Sequence, residues 1–234
     1  MSVGFRVFTQ RRMPKKEVMD GFRLLPAANV ADVMGRSCAM SSEIHTMLPH
    51  TDAIMVGPAL TVRARPGDNL MIHKALNMAQ EGDILVIANE GDRSQSLLGA
   101  IIVAYARSKK LGGIVVDGNI RDVDEIAAMG LPVYATGSTP GGPYKEGPGE
   151  VNTPISCGGV AVCPGDIILA DSDGVIVIPR KDSERILVEA QIFAKADKAK
   201  MQAALDGSAK REWVDKKLTE KQCEIIDGCY EDLG

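Results

Sequence analysis

The chain has 234 residues, 45% of them hydrophobic, and a formal net charge of -4 with both signs interspersed. That is enough apolar matter for one substantial core, and it offers no basic footprint for nucleic-acid phosphates, the only dense run of Lys lying near the carboxyl end. Five cysteines (Cys38, Cys157, Cys163, Cys223, Cys229) without a CxxC pair argue against a disulfide framework or zinc site, and no stretch approaches the ~18 apolar residues of a membrane span or shows the apolar region of an export leader. The expectation is a cytoplasmic protein with reduced thiols, no nucleic-acid partner and no membrane partner.

Aromatic residues make up only 4%, while glycines number 24, which suits small-residue packing and many turns around β-branched strands. In chain order, residues 26–35 (PAANVADVMG) have apolar spacing near 3.6 and a Gly stop, and predict a short helix. Residues 54–64 (IMVGPALTVRA) predict a strand interrupted at Gly57-Pro58 by a bulge or turn. A helix over 69–80 follows, and the Glu81-Gly82-Asp83 turn introduces ILVIAN, an apolar run suited to the middle of a sheet covered on both faces. Residues 96–110 (SLLGAIIVAYARSKK) predict one buried helix with a basic carboxyl end, stopped by Gly112-Gly113. Residues 114–117 read as a strand, Gly118-Asn119 as a turn, and 121–129 as a helix.

This strand-helix repetition predicts an α/β fold with parallel strands, whose functional groups collect at the carboxyl ends of the strands. Beyond Tyr134 the composition changes. A Gly/Pro-rich loop over 137–148 precedes short strands at 158–163, 166–169 and 175–178, which read as antiparallel β, with Asp171-Ser172-Asp173-Gly174 as a hairpin turn rather than a calcium loop. A helix runs from Lys181 to about Leu205. The domain reading is a single α/β domain over 1–205 and a polar, partly helical extension over 206–234.

The chain has no Walker loop, no GxGxxG after a strand, no HExxH and no GxSxG. His45, His50 and His73 show no ligand-like spacing and read as surface or satisfied core residues. The most informative hexapeptide is Asp117-Gly118-Asn119-Ile120-Arg121-Asp122, which follows a buried strand and opens a helix. Two readings stay open on the residues alone. Asp122 caps a helix and Arg121 pairs with a neighbouring carboxylate, or the two are presented at a strand's carboxyl end as a functional pair.

Residues 98–122 (LGAIIVAYARSKKLGGIVVDGNIRD), 152–159 (NTPISCGG) and 164–174 (PGDIILADSDG) together resemble the RraA-like family, which includes the class II 4-hydroxy-4-methyl-2-oxoglutarate / 4-carboxy-4-hydroxy-2-oxoadipate aldolases. The likeness runs from about Pro26 to Leu205. The resemblance implies an α/β/β sandwich related to the phosphohistidine swivelling domain, homotrimers or homohexamers, and a subunit-interface site for Mg²⁺ or Mn²⁺ and a small oxo-acid substrate. It assigns the metal to Asp122, largely through water, and the pyruvyl oxygen to Arg121. The helix start at Gly99, Ala100, Ile101 and Ile102 would receive the substrate carboxylate, as helix amino ends favour anions. A carboxylate from the neighbouring subunit corresponds by position to Asp197, with Glu189 as the alternative. Asp92 and Arg93 line the site from a loop or form a solvated charged turn.

The implied activity is divalent-metal-dependent cleavage of a C–C bond next to a pyruvyl group through a pyruvate enolate, as oxaloacetate decarboxylation, as retro-aldol cleavage, or as both. The alternative is a catalytically weak regulatory or binding protein of the ribonuclease-inhibitor type, although that branch tends to lack the Asp that follows the Arg. The aldolases of the family carry an acidic residue where this chain has Ala100, twenty-one positions before Arg121. Its absence removes a group that helps deprotonate the hydroxyl in retro-aldol cleavage, whereas decarboxylation needs no such proton removed.

Overall fold

The computed structural model describes residues 3–49 and 54–233, so His50 lies outside the described residues. By packing, the chain divides into two compact units, residues 1–194 and 195–234. The first contains β1 (Phe5–Val7), α1 (Lys16–Phe22), α2 (Ala27–Val33), β2 (His45–Thr46), β3 (Met55–Ala64), α3 (Leu70–Met78), β4 (Ile84–Ala88), β5 (Ser96–Leu98) and α4 (Ala100–Ser108). It continues through β6 (Gly113–Ile120), α5 (Val123–Met129), β7 (Val133–Ser138), β8 (Gly149–Val151), β9 (Ile155–Cys157), β10 (Val160–Val162), β11 (Ile167–Asp171) and β12 (Gly174–Ile178). Helix α6 (Ser183–Leu205) belongs to this unit as far as Ala194. The second unit holds the rest of α6, α7 (Trp213–Glu220), which buries no residue, and a short 3-10 turn over Tyr230–Leu233.

The main sheet follows the order β1-β8-β3-β4-β6-β7-β2. Its centre is parallel: β4 pairs with β3 on one side and β6 on the other, and β6 pairs in parallel with β7 and β5. Strands β8 and β11 join β3 antiparallel, β12 closes a hairpin on β11, and β9-β10 form a separate hairpin. Successive side chains of a strand face opposite ways. Accordingly Leu85 and Ile87 of β4, with Ile114 and Val116 of β6, pack against Ile72, Leu76, Val103 and Ile126 of α3, α4 and α5. Ile84, Val86 and Val115 face the other way and meet Cys157, Val162, Ile168 and Val177 of the two hairpins. The outer face of the β11-β12 hairpin is covered in turn by Phe22, Val30 and Ile186 of α1, α2 and α6. The helices-over-sheet-over-hairpin layering matches the α/β/β arrangement that the family resemblance implies, and each fully buried Leu, Ile or Phe contributes about 1.5–3 kcal/mol to it.

Four local expectations are corrected. Gly57-Pro58 does not interrupt β3; it is where the strand changes partner, pairing with β11 through Pro58 and with β4 from Ala59. A proline has no N–H to give the ladder, and a Cβ on Gly57 would strike the Gly82 carbonyl. Residues 96–110 are not one helix, because Ser96–Leu98 pair with β6 and the helix starts only after the extended Gly99. That helix is also not buried all round: Ile101 is 83% exposed. Gly118-Asn119 is not a turn, since β6 runs on to Ile120 with an irregularity in its register, held by Asn119 donating to the Arg93 carbonyl.

Candidate functional site

Parallel strands β5 and β6 end side by side, with Leu98 opposite Ile120, and each leads at once into a helix. The Arg121 amide donates to the Leu98 carbonyl at 3.0 Å, which ties the two strand ends together. Gly99 therefore lies against the Arg121-Asp122 pair. A Cβ at Gly99 would overlap Asp122 Oδ2 and come within 2.9 Å of Arg121 Cγ, so any larger residue here would displace the pair.

Asp122 precedes α5 but does not cap it. Its backbone is left-handed, with φ 57 and ψ 42, and its Oδ2 accepts from the Ala100 amide at 3.0 Å, capping α4 across the strand gap. A non-glycine residue in this conformation stores strain of about 1–3 kcal/mol, a pattern that concentrates at functional sites. Arg121 Nε is 3.7 Å from the same oxygen, with both side chains about two-fifths exposed. Such a solvated pair contributes little to stability.

The pair borders two cavities. One, of about 160 Å³, is lined by Gly99, Ile101, Ile102, Arg121 and Asp122 together with Asn69, His73 and Lys145. The other, of about 330 Å³, is bounded by Arg121, Asp122, Ser138, Thr139 and Pro140. Arg121 Nη1 also reaches the 137–148 loop, where a Cβ on Gly142 would come within 3.0 Å of it.

Most of the residues singled out in the sequence thus converge, with one amendment. The Ala100 amide is already engaged by Asp122, and Ile102 N donates to the Gly99 carbonyl at 3.1 Å, so Ile101 supplies the remaining first-turn amide of α4. Asp92 and Arg93 line neither cavity. Arg93 pairs with Glu43, and Asp92 accepts from Ser94 at 2.9 Å. Glu189 is engaged by Arg185 at 2.9 Å, and Asp197 lies on α6 in the second unit.

Three residues of the cavity were not foreseen. Asn69 and His73 are one helical turn apart, the i, i+4 spacing that puts two side chains on one face, and this was the available signal. Asn69 is buried; its Nδ2 donates to the Leu97 carbonyl at 3.0 Å, which orients the amide, and its Oδ1 has no partner among the described residues. His73 is half-buried, and burial first, then the Lys145 ammonium, hold its imidazole below the usual histidine value and so neutral at pH 7. Lys145 comes from the loop after β7 and had no local signature.

Among the described residues no three His, Cys, Asp or Glu side chains cluster. The cavity therefore offers a divalent cation one carboxylate, Asp122, with waters and ligand oxygens to complete the shell. That donor set fits Mg²⁺ or Mn²⁺, hard ions that keep much of their water, and not zinc, which takes a closed nitrogen and sulfur cage.

Residues 27–177 match the family model described as RraA-like, Aldolase/RraA. A Halalkalibacterium halodurans protein named "Putative 4-hydroxy-4-methyl-2-oxoglutarate aldolase" is 38% identical over 79% of this chain and 87% of its own length. A Thermus thermophilus protein named 4-hydroxy-4-methyl-2-oxoglutarate aldolase is 35% identical over 50% of this chain and 71% of its own. Among solved structures, a Streptomyces coelicolor protein described as an unusual member of the RNase ES inhibitor RraA protein family superposes with a TM-score of 0.73 at 26% identity, covering 81% of this chain and 98% of that one.

Proposed function

Because this chain belongs to the RraA-like family, we propose that it is a divalent-metal-dependent lyase that breaks a C–C bond next to a pyruvyl group, with oxaloacetate decarboxylation as its principal reaction. The observation that supports this most is the joining of Arg121, Asp122 and the α4 amino end around one small cavity that Lys145 also lines. Asp122 would hold Mg²⁺ or Mn²⁺, and the ion when bound supplies Lewis-acid stabilisation of an oxygen that gains charge.

The remaining work falls to the chain's own groups. The Ile101 amide and the positive end of α4, with the Lys145 ammonium, receive the carboxylate next to the oxo group. Arg121 faces the oxo oxygen, and its guanidinium offsets the negative charge that develops there as carbon dioxide leaves and the enolate forms. A proton from solvent then completes pyruvate at the carbon that lost carbon dioxide. Retro-aldol cleavage needs a base for the substrate hydroxyl, and Ala100 supplies none. Asp122 is taken up by the ion in this reading, so the neutral His73 would have to accept that proton without the acid that the family's aldolases place at position 100, and the retro-aldol reaction is the minor activity.

As in the family resemblance, the assembly would be a homotrimer or homohexamer, with Asp197 reaching a neighbour's site. The test is oxaloacetate decarboxylation with Mg²⁺ or Mn²⁺, then with chelator, in the native chain and in Asp122→Ala. Turnover that chelator abolishes and Asp122→Ala lacks supports the proposal. Turnover indifferent to metal and to Asp122 overturns it. A second reading, a catalytically weak regulatory protein, draws on Ala100 and on the description of the Streptomyces relative. It would be favoured by the absence of any turnover.

A further inference from the structure

A cavity of about 420 Å³ in the first unit shares no lining residue with the site just described. Four guanidinium groups border it: Arg6, Arg11, Arg12 and Arg180. Two of them are already matched. Arg6 Nε lies 2.6 Å from the buried Glu150 carboxylate, and Arg11, whose side chain is only 6% exposed, pairs with the fully buried Asp83.

Arg12 and Arg180 are different. Neither has an ion-pair partner among the described residues. Asp166 is committed to backbone amides, accepting from Cys163 N and Arg180 N at 2.9 Å each, and Asp182, two residues beyond Arg180, pairs with Arg185 at 3.7 Å. The two arginines are brought together by Gly165, whose positive φ of 82 no larger residue readily adopts; a Cβ there would overlap the Arg12 carbonyl and lie 3.6 Å from Arg180 Cδ. The amino-terminal segment is thus seated against the turn before β11 so that two uncompensated positive charges flank one opening.

Two residues of its lining also carry unspent hydrogen-bonding capacity beneath the surface. Arg11 Nε, a donor, and Asn152 Oδ1, an acceptor, are both buried without a partner. Asn152 is oriented by its Nδ2 donating to the Phe8 carbonyl at 2.9 Å, so the lone acceptor is not a misassigned amide. Leaving such groups unmet costs about 1–3 kcal/mol each, and a hydroxyl is able to donate to an oxygen such as Asn152 Oδ1 or to accept from a nitrogen such as Arg11 Nε. Beside them stands the Phe8 ring, 42% exposed, with Arg6 stacked at 5.4 Å from its centroid.

We propose that this groove is a binding site for a phosphorylated, hydroxyl-bearing small molecule, its phosphoryl group held between Arg12 and Arg180 and its organic part lying towards Phe8 and Asn152. Two unpaired guanidinium forks match the charge of a phosphate monoester, about -1.5 to -2 at pH 7, whereas a single carboxylate would neutralise only one of them.

The test is isothermal titration calorimetry on the full chain with ribose 5-phosphate as the probe. Ribose, succinate and a short single-stranded RNA serve as comparison ligands. Binding of ribose 5-phosphate in preference to all three is expected, with Arg12→Ala and Arg180→Ala each weakening it by about tenfold or more. Thermal melts establish that both variants are folded. Asp122→Ala should bind the probe as the native chain does, which separates this groove from the proposed lyase site. The inference is overturned by no measurable binding, by equal binding of succinate, by preference for RNA, or by loss of binding in Asp122→Ala. It is equally overturned if either arginine variant changes the oligomeric state in sedimentation, because the groove would then belong to a contact with a second copy.

Discussion

The Asp122 carboxylate accepts the Ala100 amide at 3.0 Å, so the residue that precedes α5 caps the start of α4. One acid thereby joins two helix starts at the carboxyl ends of two parallel strands, and it holds a left-handed backbone while doing so. Its structural and chemical duties can be separated by substitution.

Asp122→Asn keeps an oxygen for the Ala100 amide and tolerates the left-handed conformation, so its melting temperature should stay near that of the native chain. Asp122→Ala loses the cap and is strained in that conformation, and should be less stable by about 1–3 kcal/mol in urea titration. Both variants should lose metal-dependent oxaloacetate turnover by about a hundredfold or more. If Asp122→Asn retains turnover, Asp122 is only a cap.

Gly99→Ala places a methyl group where Asp122 Oδ2 and Arg121 lie. The backbone of Gly99 is extended, with φ -145, so the substitution brings no backbone strain and acts through this collision alone. Turnover should fall about ten- to a hundredfold by displacement of the pair, since errors of an ångström at reacting groups have that effect. Steady-state kinetics beside a melting curve would reveal a change in kcat out of proportion to the change in stability.

His73 should titrate below 6.5 in the folded protein, because burial and then the Lys145 charge disfavour its protonated form. Lys145→Ala removes the second cause only, so the titration should move up but not past 6.5. The imidazole C–H resonances followed by proton NMR against pH report both. A histidine whose pKa is lowered by folding contributes stability that is present above about pH 6.5 and lost as the pH falls below it, since the unfolded chain then binds the proton more readily.

Ala100→Asp returns a carboxylate to the first turn of α4, a position where helix polarity favours negative charge. Cleavage of 4-hydroxy-4-methyl-2-oxoglutarate, read as pyruvate release, should rise about tenfold or more, while oxaloacetate decarboxylation changes little. An unchanged aldol rate would mean that the missing acid is not what limits that reaction.

Much of this arrangement was legible along the chain. The ILVIAN run announced β4 as a strand covered on both faces, and its alternate side chains do feed two separate cores. The Arg121-Asp122 pair could be singled out because a strand, a short connection and a helix are local patterns. What misled was also local. Residues 96–98 are apolar enough to extend the following helix, and only pairing with β6, 22 and 23 residues away in sequence, makes them a strand.

The sequence by itself determined an α/β fold with parallel strands, because hydrophobic period and glycine placement act over a few neighbouring residues, while the layering and the role of the Arg121-Asp122 pair were expectations from the resemblance to the RraA-like family. The tertiary structure decided which groups meet. It put Asp122 on the Ala100 amide, brought Asn69, His73 and Lys145 to the same cavity, and set Arg12 and Arg180 along one groove without an ion-pair partner among the described residues. Those relationships depend on strand order and on the close approach of distant backbones at Gly99 and Gly165. Neither is set by the residues next to each position; both follow from how the sheet and its covering layers pack.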